Sequence, residues 1–126
     1  DLWSGKQKRS IRALLFSPEG ETLYSLGQNR GLCSYDVETG RRTRVIRESH
    51  DDKPMCICTL PPSATKGQMF ATADESGQIR TWDWRQKEPI ICTFDNQEES
   101  INALVMDKNT LLAASSDGTL GAYEVR

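Results

Sequence analysis

An aromatic residue followed by an acidic residue closes a short apolar segment three times in this chain of 126 residues. The pairs are Tyr35-Asp36, Trp82-Asp83 and Tyr123-Glu124. Their acidic members are separated by 47 and 41 residues. A recurring distance of this size indicates that one supersecondary unit is repeated and that neighbouring units stack to bury a common core. The spacing therefore predicts a small array of repeats, which is typical of a scaffold rather than of an enzyme.

Each pair is preceded by the same order of small residues, a polar turn and a mixed strand. The three windows are residues 25–36, 72–83 and 114–124. Gly77 and Gly118 stand in the turns of the second and third windows, where the first has Arg30. Asp117 precedes Gly118 and is the one aspartate at its turn position. The third window is therefore the most regular copy of the repeat.

Short apolar runs separated by Gly, Pro, Asn and Asp turns, without sustained helical periodicity, predict an all-β protein. We predict twelve strands at Asp1–Ser4, Ile11–Phe16, Thr22–Leu26, Leu32–Asp36, Arg44–Arg47, Met55–Thr59, Met69–Ala73, Ile79–Trp84, Ile90–Phe94, Ile101–Met106, Leu111–Ser115 and Leu120–Val125. Propeller blades are four-stranded antiparallel sheets, so twelve strands make about three blades. A loop insertion at residues 60–67 accounts for the longer first spacing.

The three windows, with the Ser-Pro-acid-Gly turn at residues 17–20, resemble WD40 repeats over nearly the whole chain. The resemblance implies that each aromatic-acid pair ends the third strand of a blade. On that register residues 1–4 are the outer strand of a preceding blade, residues 11–47 and 55–94 are blades, and residues 101–126 are an incomplete blade.

Three blades are too few for a closed ring, which needs about four or more. An open arc would leave two large apolar faces in water, which is rare for a soluble monomer. We therefore predict that residues 1–126 are part of a larger propeller, of seven blades by analogy with the family. The alternative is that copies of the chain associate to complete a ring.

Composition argues against several classes of function. A net charge of −2 is unlike a general nucleic-acid binder, because neutralising phosphates requires a basic surface. No apolar run approaches the ~18 residues of a membrane span. Four cysteines without a Cys-x-x-Cys pair are predicted to be free, buried thiols: Cys33, Cys56, Cys58 and Cys92. We predict no cofactor and no metal site.

His50 is the only histidine, so acid–base or nucleophilic chemistry would have to use it. The WD40 resemblance favours a structural role, because it implies a buried tetrad in which His50 joins Thr72 and Trp82. Ser76 occupies the fourth position, where the family has aspartate. This difference leaves the tetrad weakened or rerouted through Asp74. We therefore predict a chain without catalytic activity.

Residues 40–47 carry four arginines and form, with Lys6, Lys8, Arg9 and Arg12, the main positive concentration. One interpretation is contact with RNA phosphates, for which arginine is well suited. The favoured interpretation is an outermost strand whose charges discourage edge-to-edge pairing, because the aromatic residues that stack on bases are absent.

Asp83, Trp84 and Arg85 form the predicted partner-binding segment. In some WD40 proteins a Trp-Asp-x-Arg sequence at this place, preceded by an acid such as Asp74, docks onto the adaptor of cullin-RING ubiquitin ligases. We expect Arg85 to emerge on one rim of the propeller, where its planar guanidinium is able to engage carboxylates or carbonyls.

Residues 1–5, 71–89 and 111–123 are similar to the WD repeat-containing protein 55 family. The resemblance implies a scaffold for protein–protein interactions in the nucleus and nucleolus, with the cytoplasm as a further location. Its implied task is ribosome biogenesis and ribosomal-RNA processing, with ribosome-assembly factors as partners. The alternative that it implies is a substrate receptor of a cullin-RING ubiquitin ligase, docked through the Trp-Asp-x-Arg sequence.

Overall fold

The computed structural model describes residues 10–60 and 69–124. These residues form eleven strands and no helix, which confirms the all-β prediction. In chain order the strands are β1 Ile11–Phe16, β2 Thr22–Gly27, β3 Leu32–Asp36, β4 Arg42–Ile46, β5 Pro54–Thr59, β6 Met69–Asp74, β7 Ile79–Asp83, β8 Ile90–Phe94, β9 Ile101–Asp107, β10 Thr110–Ser115 and β11 Leu120–Glu124.

Each of these strands matches a predicted one, with bounds that differ by at most two residues. The largest difference is at β4, which was predicted at Arg44–Arg47. It ends at Ile46 because that residue pairs with Leu32, where β3 begins, and it starts earlier because Arg42 pairs with Tyr35 around a bulge. The predicted strand Asp1–Ser4, the insertion beyond Leu60 and Val125 lie outside the described residues.

The strands form three antiparallel sheets in which neighbours in sequence are neighbours in space. The first sheet contains β1–β4, the second β5–β8 and the third β9–β11. The first strands of the sheets contact one another, β1 with β5 and β5 with β9, so β4 and β8 are outermost. Within the described residues the third sheet has no fourth strand.

One main-chain hydrogen bond recurs in all three sheets. It joins the turn after the second strand to the connection that enters the same sheet, as Gln28 N to Ser10 O, Glu75 N to Lys53 O and Ser116 N to Ser100 O, at 2.8–2.9 Å. The repeat that is visible in the sequence is therefore also a repeat of backbone geometry.

The core lies between the sheets in two clusters of buried side chains. Between the first and second sheets the buried members are Tyr24, Leu26, Leu32, Phe70, Trp82 and Trp84. Between the second and third they include Leu60, Met69, Ala71, Ile79, Leu104, Leu111 and Tyr123. All six residues of β6 are buried, because alternate side chains point to opposite faces of a strand and both faces of this sheet are covered.

The outer faces of the first and third sheets expose apolar side chains. Leu14 and Phe16 of β1 are 58% and 57% exposed, and Leu120 of β11 is 70% exposed. Leu14 pairs with Ser25, so it lies on the opposite face from the buried Tyr24 and Leu26. In the described residues no helix is long and apolar enough to cross a membrane.

The four cysteines are free, but they are not uniformly buried as predicted. Cys33 is buried, whereas Cys92 is exposed because it lies on the outermost strand β8. Cys56 and Cys58 are half-buried, and this burial raises the pKa of Cys56 to about 12 and that of Cys58 to about 11. Both thiols therefore stay protonated at neutral pH.

Candidate functional site

The second blade contains a fully buried hydrogen-bonded network around His50. The imidazole Nδ1 lies 3.0 Å from Asp74 Oδ2, and Nε2 lies 2.5 Å from Thr72 Oγ1. Trp82 donates from Nε1 to the same Thr72 oxygen at 2.8 Å. All four side chains are at most 1% exposed. The structure thus brings together His50, Thr72 and Trp82, which lie on a connection and two strands.

The acid of this network is Asp74, in agreement with the rerouted alternative, and Ser76 is not the fourth member of the tetrad. Asp74 ends β6, so its carboxylate reaches both the imidazole and the turn that follows. Its Oδ1 accepts bonds from the main-chain N–H groups of Ser76 and Gln78, each at 2.9 Å, and from the Ser76 hydroxyl at 2.7 Å. Ser76 is therefore an exposed turn residue that supports the acid.

Electrostatics favour the ionised form of Asp74. Burial by itself raises the pKa of this carboxyl group, but hydrogen bonds from His50, Ser76 and Gln78 outweigh that effect, and its pKa lies below the usual value. Both nitrogens of the His50 ring are already engaged, and the side chain is 1% exposed. The arrangement stabilises the blade and leaves no ring nitrogen for a substrate.

A different contact occupies the equivalent place at the third blade. Tyr123, which stands where the second blade has Trp82, donates its hydroxyl to Gln97 Oε1 at 2.8 Å. A Cβ atom at Gly121 would lie 2.8 Å from that oxygen, so the glycine leaves room for the Gln97 side chain. No histidine precedes this blade in the sequence, and the role of Gln97 was not predicted. The glycine within a strand was the available signal.

Ser49 is a second residue that the sequence did not single out. Its N–H and hydroxyl both donate to the Arg30 carbonyl, at 3.0 and 2.5 Å, and its own carbonyl accepts from Arg80 Nη1 at 2.7 Å. Arg30 has a φ of 71°, at the position where the other blades have glycine. Ser49 thereby holds a left-handed turn of the first blade against a strand of the second.

The third turn has the geometry that its sequence indicates. Asp117 Oδ1 accepts bonds from the N–H and the hydroxyl of Thr119, at 2.9 and 2.6 Å. Gly118 has a φ of +85°, which explains why glycine follows the aspartate. Both residues are exposed, so they shape a surface turn rather than a buried site.

The predicted partner-binding segment divides into buried and exposed parts. Asp83 and Trp84 are 7% and 8% exposed, whereas Arg85 is exposed. Asp83 accepts bonds from Arg85 N and Gln86 Nε2, both at 3.3 Å, and so shapes the turn that follows β7. Within this segment, Arg85 alone is available to a partner. The prediction that Asp83 and Trp84 also bind a partner is therefore corrected.

Trp84 is buried because it fills the space between the first two blades. Its ring packs against Phe70 with centroids 5.5 Å apart, and its Nε1 donates to Ser34 Oγ at 3.0 Å. The Arg44 guanidinium lies 4.9 Å from the ring centroid, a cation–π distance. Trp84, which was predicted as part of the partner-binding segment, is instead a packing residue of the interface between the two blades.

Arg44 also binds the main chain of the same turn. Its Nη1 donates to the carbonyls of Trp84 and Gln86 at 2.8 and 3.0 Å, and its Nη2 donates to that of Lys87 at 2.9 Å. The basic segment predicted as an outermost strand is indeed β4. Arg44, however, faces the neighbouring blade. It therefore neither contacts RNA phosphates nor discourages edge-to-edge pairing, the two roles that were considered for the basic segment.

Comparison with known proteins gives a consistent result. No family model matches the chain. WD repeat-containing protein 55 of Bos taurus is 33% identical over 128 residues, which cover 100% of this chain and 32% of the relative. The homolog of that protein from Aedes aegypti is 32% identical over 119 residues, which cover 93% of this chain and 24% of the relative. The chain thus spans about a third or less of the length of these relatives.

Solved structures agree on the fold. The crystal structure of the RRP9 WD40 repeats superposes with a TM-score of 0.82 at 21% identity, over 96% of this chain and 37% of that one. The three antiparallel sheets of this chain, the order of their strands and this superposition together confirm the predicted WD40-type propeller blades. The chain is therefore built of WD40 repeats, and over its whole length it is similar to WD repeat-containing protein 55.

Proposed function

We propose that this chain is part of a non-enzymatic scaffold that binds other proteins through the exposed turns of its blades. The observation that carries the proposal is the placement of the single histidine, which is buried and engaged on both ring nitrogens. Charged side chains such as Arg85 are instead exposed on the turns between strands. The only histidine is thus unavailable to a substrate, while charged side chains on the turns are accessible to a partner.

The similarity to WD repeat-containing protein 55 supports a place for this scaffold in nucleolar ribosome biogenesis and ribosomal-RNA processing. Its partners would then be ribosome-assembly factors, and its location the nucleus and nucleolus, with the cytoplasm as a further site. A second candidate is a substrate receptor of a cullin-RING ubiquitin ligase. The exposed position of Arg85 on a turn that is held by Asp83 favours keeping this candidate.

One experiment separates the two functions. Full-length wild type and the Arg85→Ala variant are compared for sedimentation with pre-ribosomal particles from nuclear extract and for recovery of the ligase adaptor. For an assembly scaffold we expect both proteins to sediment with the particles and neither to retain the adaptor. Adaptor recovery that depends on Arg85 would establish the second function instead, and absence from the particles would contradict the first.

We also propose that further blades of the same chain cover the exposed faces of the first and third sheets. The support is the exposure of Leu14, Phe16, Val105 and Leu120 on these faces. The greater length of the relatives points the same way. Light scattering on residues 1–126 alone is expected to show self-association, and on the full-length protein a monomer. A compact, soluble monomer of residues 1–126 would contradict this proposal and the alternative of a ring of copies.

A further inference from the structure

The turn after β7 is shaped by a residue of the neighbouring blade. Three of its carbonyls, those of Trp84, Gln86 and Lys87, converge on the one guanidinium of Arg44. The Trp84 side chain also binds the first blade, because its Nε1 donates to Ser34 Oγ. That oxygen lies 2.7 Å from Thr43 Oγ1 on β4. The backbone that presents Arg85 is therefore held from the first blade as well as from its own.

Exposed basic side chains flank this contact on both blades. Arg41 and Arg42 lie at the start of β4, while Arg85 and Lys87 lie on the turn after β7. The same two turns contain four carboxylates. Glu38 and Glu88 are exposed, whereas Asp36 and Asp83 are half-buried and buried, respectively, and accept hydrogen bonds within their own turns. Across residues 10–60 and 69–124 no carboxylate lies within ion-pairing distance of the four basic side chains. Their charges are thus available to a partner.

Arg44 adds a further positive charge. Its bonding partners are neutral carbonyls and an aromatic ring, so no negative side chain compensates its guanidinium in the described part of the chain. Partly buried charges are screened less by salt than exposed ones. Basic side chains of both blades thus lie on either side of the Arg44 contact, on a chain whose net charge is −2.

We propose that this basic seam, defined as Arg41, Arg42, Arg44, Arg85 and Lys87, binds an acidic segment of a partner protein. The proposal rests on the scaffold function proposed above and names the chemistry of its partner. Arg85, Arg41 and Arg42 supply planar donors that pair with carboxylates in bidentate fashion, and Lys87 supplies a point charge. Arg44 is the positioning residue that keeps the two halves of the seam in register.

Two features of the seam favour a protein segment over RNA. Trp84, the aromatic residue at the seam, is buried and its Nε1 is engaged, so it offers no face on which a base is able to stack. In addition, the exposed Glu38 and Glu88 lie on the same turns as the basic side chains of the seam. A polynucleotide carries a charge on every phosphate and meets these glutamates, whereas a peptide is able to place neutral or basic side chains opposite them.

The test measures binding of a fluorescent glutamate-rich peptide to the full-length protein by anisotropy at low ionic strength. We expect Arg85→Ala and Arg44→Gln each to weaken binding by about tenfold, or about 1.4 kcal/mol, because the first removes a charge-assisted hydrogen bond and the second the contacts that position it. The matched control is Arg47→Gln, which removes an exposed charge just beyond β4. We expect this control to change affinity less than about twofold.

Further variants separate positioning from charge and from folding. Arg44→Lys retains the charge but loses the planar guanidinium that binds three carbonyls, so we expect it to bind clearly more weakly than the wild type, and its gain over Arg44→Gln measures the effect of the charge alone. If Arg44 acts mainly by positioning Arg85, the two single losses of affinity should not add. The loss in the double variant Arg44→Gln/Arg85→Ala should then equal the loss in Arg85→Ala plus the effect of the Arg44 charge alone. Arg85→Ala leaves the Arg44 contacts intact, so the proposal stays testable if Arg44→Gln fails to fold.

The proposal is overturned if the wild type binds the glutamate peptide no better than a glutamine peptide, if Arg47→Gln weakens binding as much as Arg85→Ala, or if oligouridylate binds more tightly. Full affinity in Arg44→Lys would remove the positioning role of Arg44. Co-sedimentation with pre-ribosomal particles tests the scaffold function separately. If the protein sediments with the particles but does not bind the glutamate peptide, the proposal for the basic seam is wrong and the scaffold function stands.

Discussion

Replacing Gly77 by Ala is expected to lower the free energy of unfolding by about 2–5 kcal/mol. Gly77 has a φ of +95°, a conformation that costs an L side chain ~1–2 kcal/mol. In addition, its Cβ would lie 2.1 Å from the main-chain oxygen of Gln97, on the connection that enters the third blade. Relieving such an overlap in a packed region costs a further ~1–3 kcal/mol. Urea denaturation of the full-length protein measures the loss.

Gly118→Ala is the matched control for this variant. Gly118 has a similar φ of +85°, but a Cβ there meets no atom within 4 Å. Only the backbone cost of ~1–2 kcal/mol is expected. The difference between the two variants therefore isolates the contact of Gly77 with the Gln97 carbonyl. Equal losses would mean that the connection between the second and third blades moves aside freely, contrary to the packing described above.

Replacing Asp74 by Ala is expected to cost about 3–5 kcal/mol, the usual effect of removing one partner of a buried pair. The variant leaves the His50 ring and the N–H groups of Ser76 and Gln78 without their acceptor. Asp117→Ala is the control, because Asp117 accepts the same kind of turn bonds at an exposed site. Its loss should be far smaller, and a comparable loss would contradict the importance of burial.

The contribution of Asp74 should also depend on pH. Its pKa in the folded state is lowered, so its stabilising effect is complete above the unfolded value of about 3.9 and is lost as the pH falls through the folded value. The difference in unfolding free energy between wild type and Asp74→Ala should therefore shrink as the pH is lowered below about 4. A difference that stays constant into this range would show that the ionised carboxylate is not what stabilises the blade.

Several elements of the fold follow from local sequence patterns. The bounds of β1, β3 and β8 were predicted without error, because apolar runs between turn residues report on strands directly. The convergence of His50 and Thr72 was also predicted, because the resemblance to WD40 repeats implies a buried tetrad that contains both residues. The acid of that network was less predictable. Asp74 ends β6, and Ser76 lies two residues later in the turn. Whether the Asp74 carboxylate or the Ser76 hydroxyl reaches the imidazole depends on the direction of the backbone at the end of the strand.

The sequence by itself determined the repeat, the order of the strands and the all-β fold, because these depend on residues that are close along the chain. The tertiary structure alone decided that Trp84 is buried, that Arg44 binds the turn of the next blade and that Gly77 has no room for a side chain. Each of these contacts joins residues of different blades. Their geometry depends on how two sheets pack, and the period of a single strand or turn contains no information about that packing.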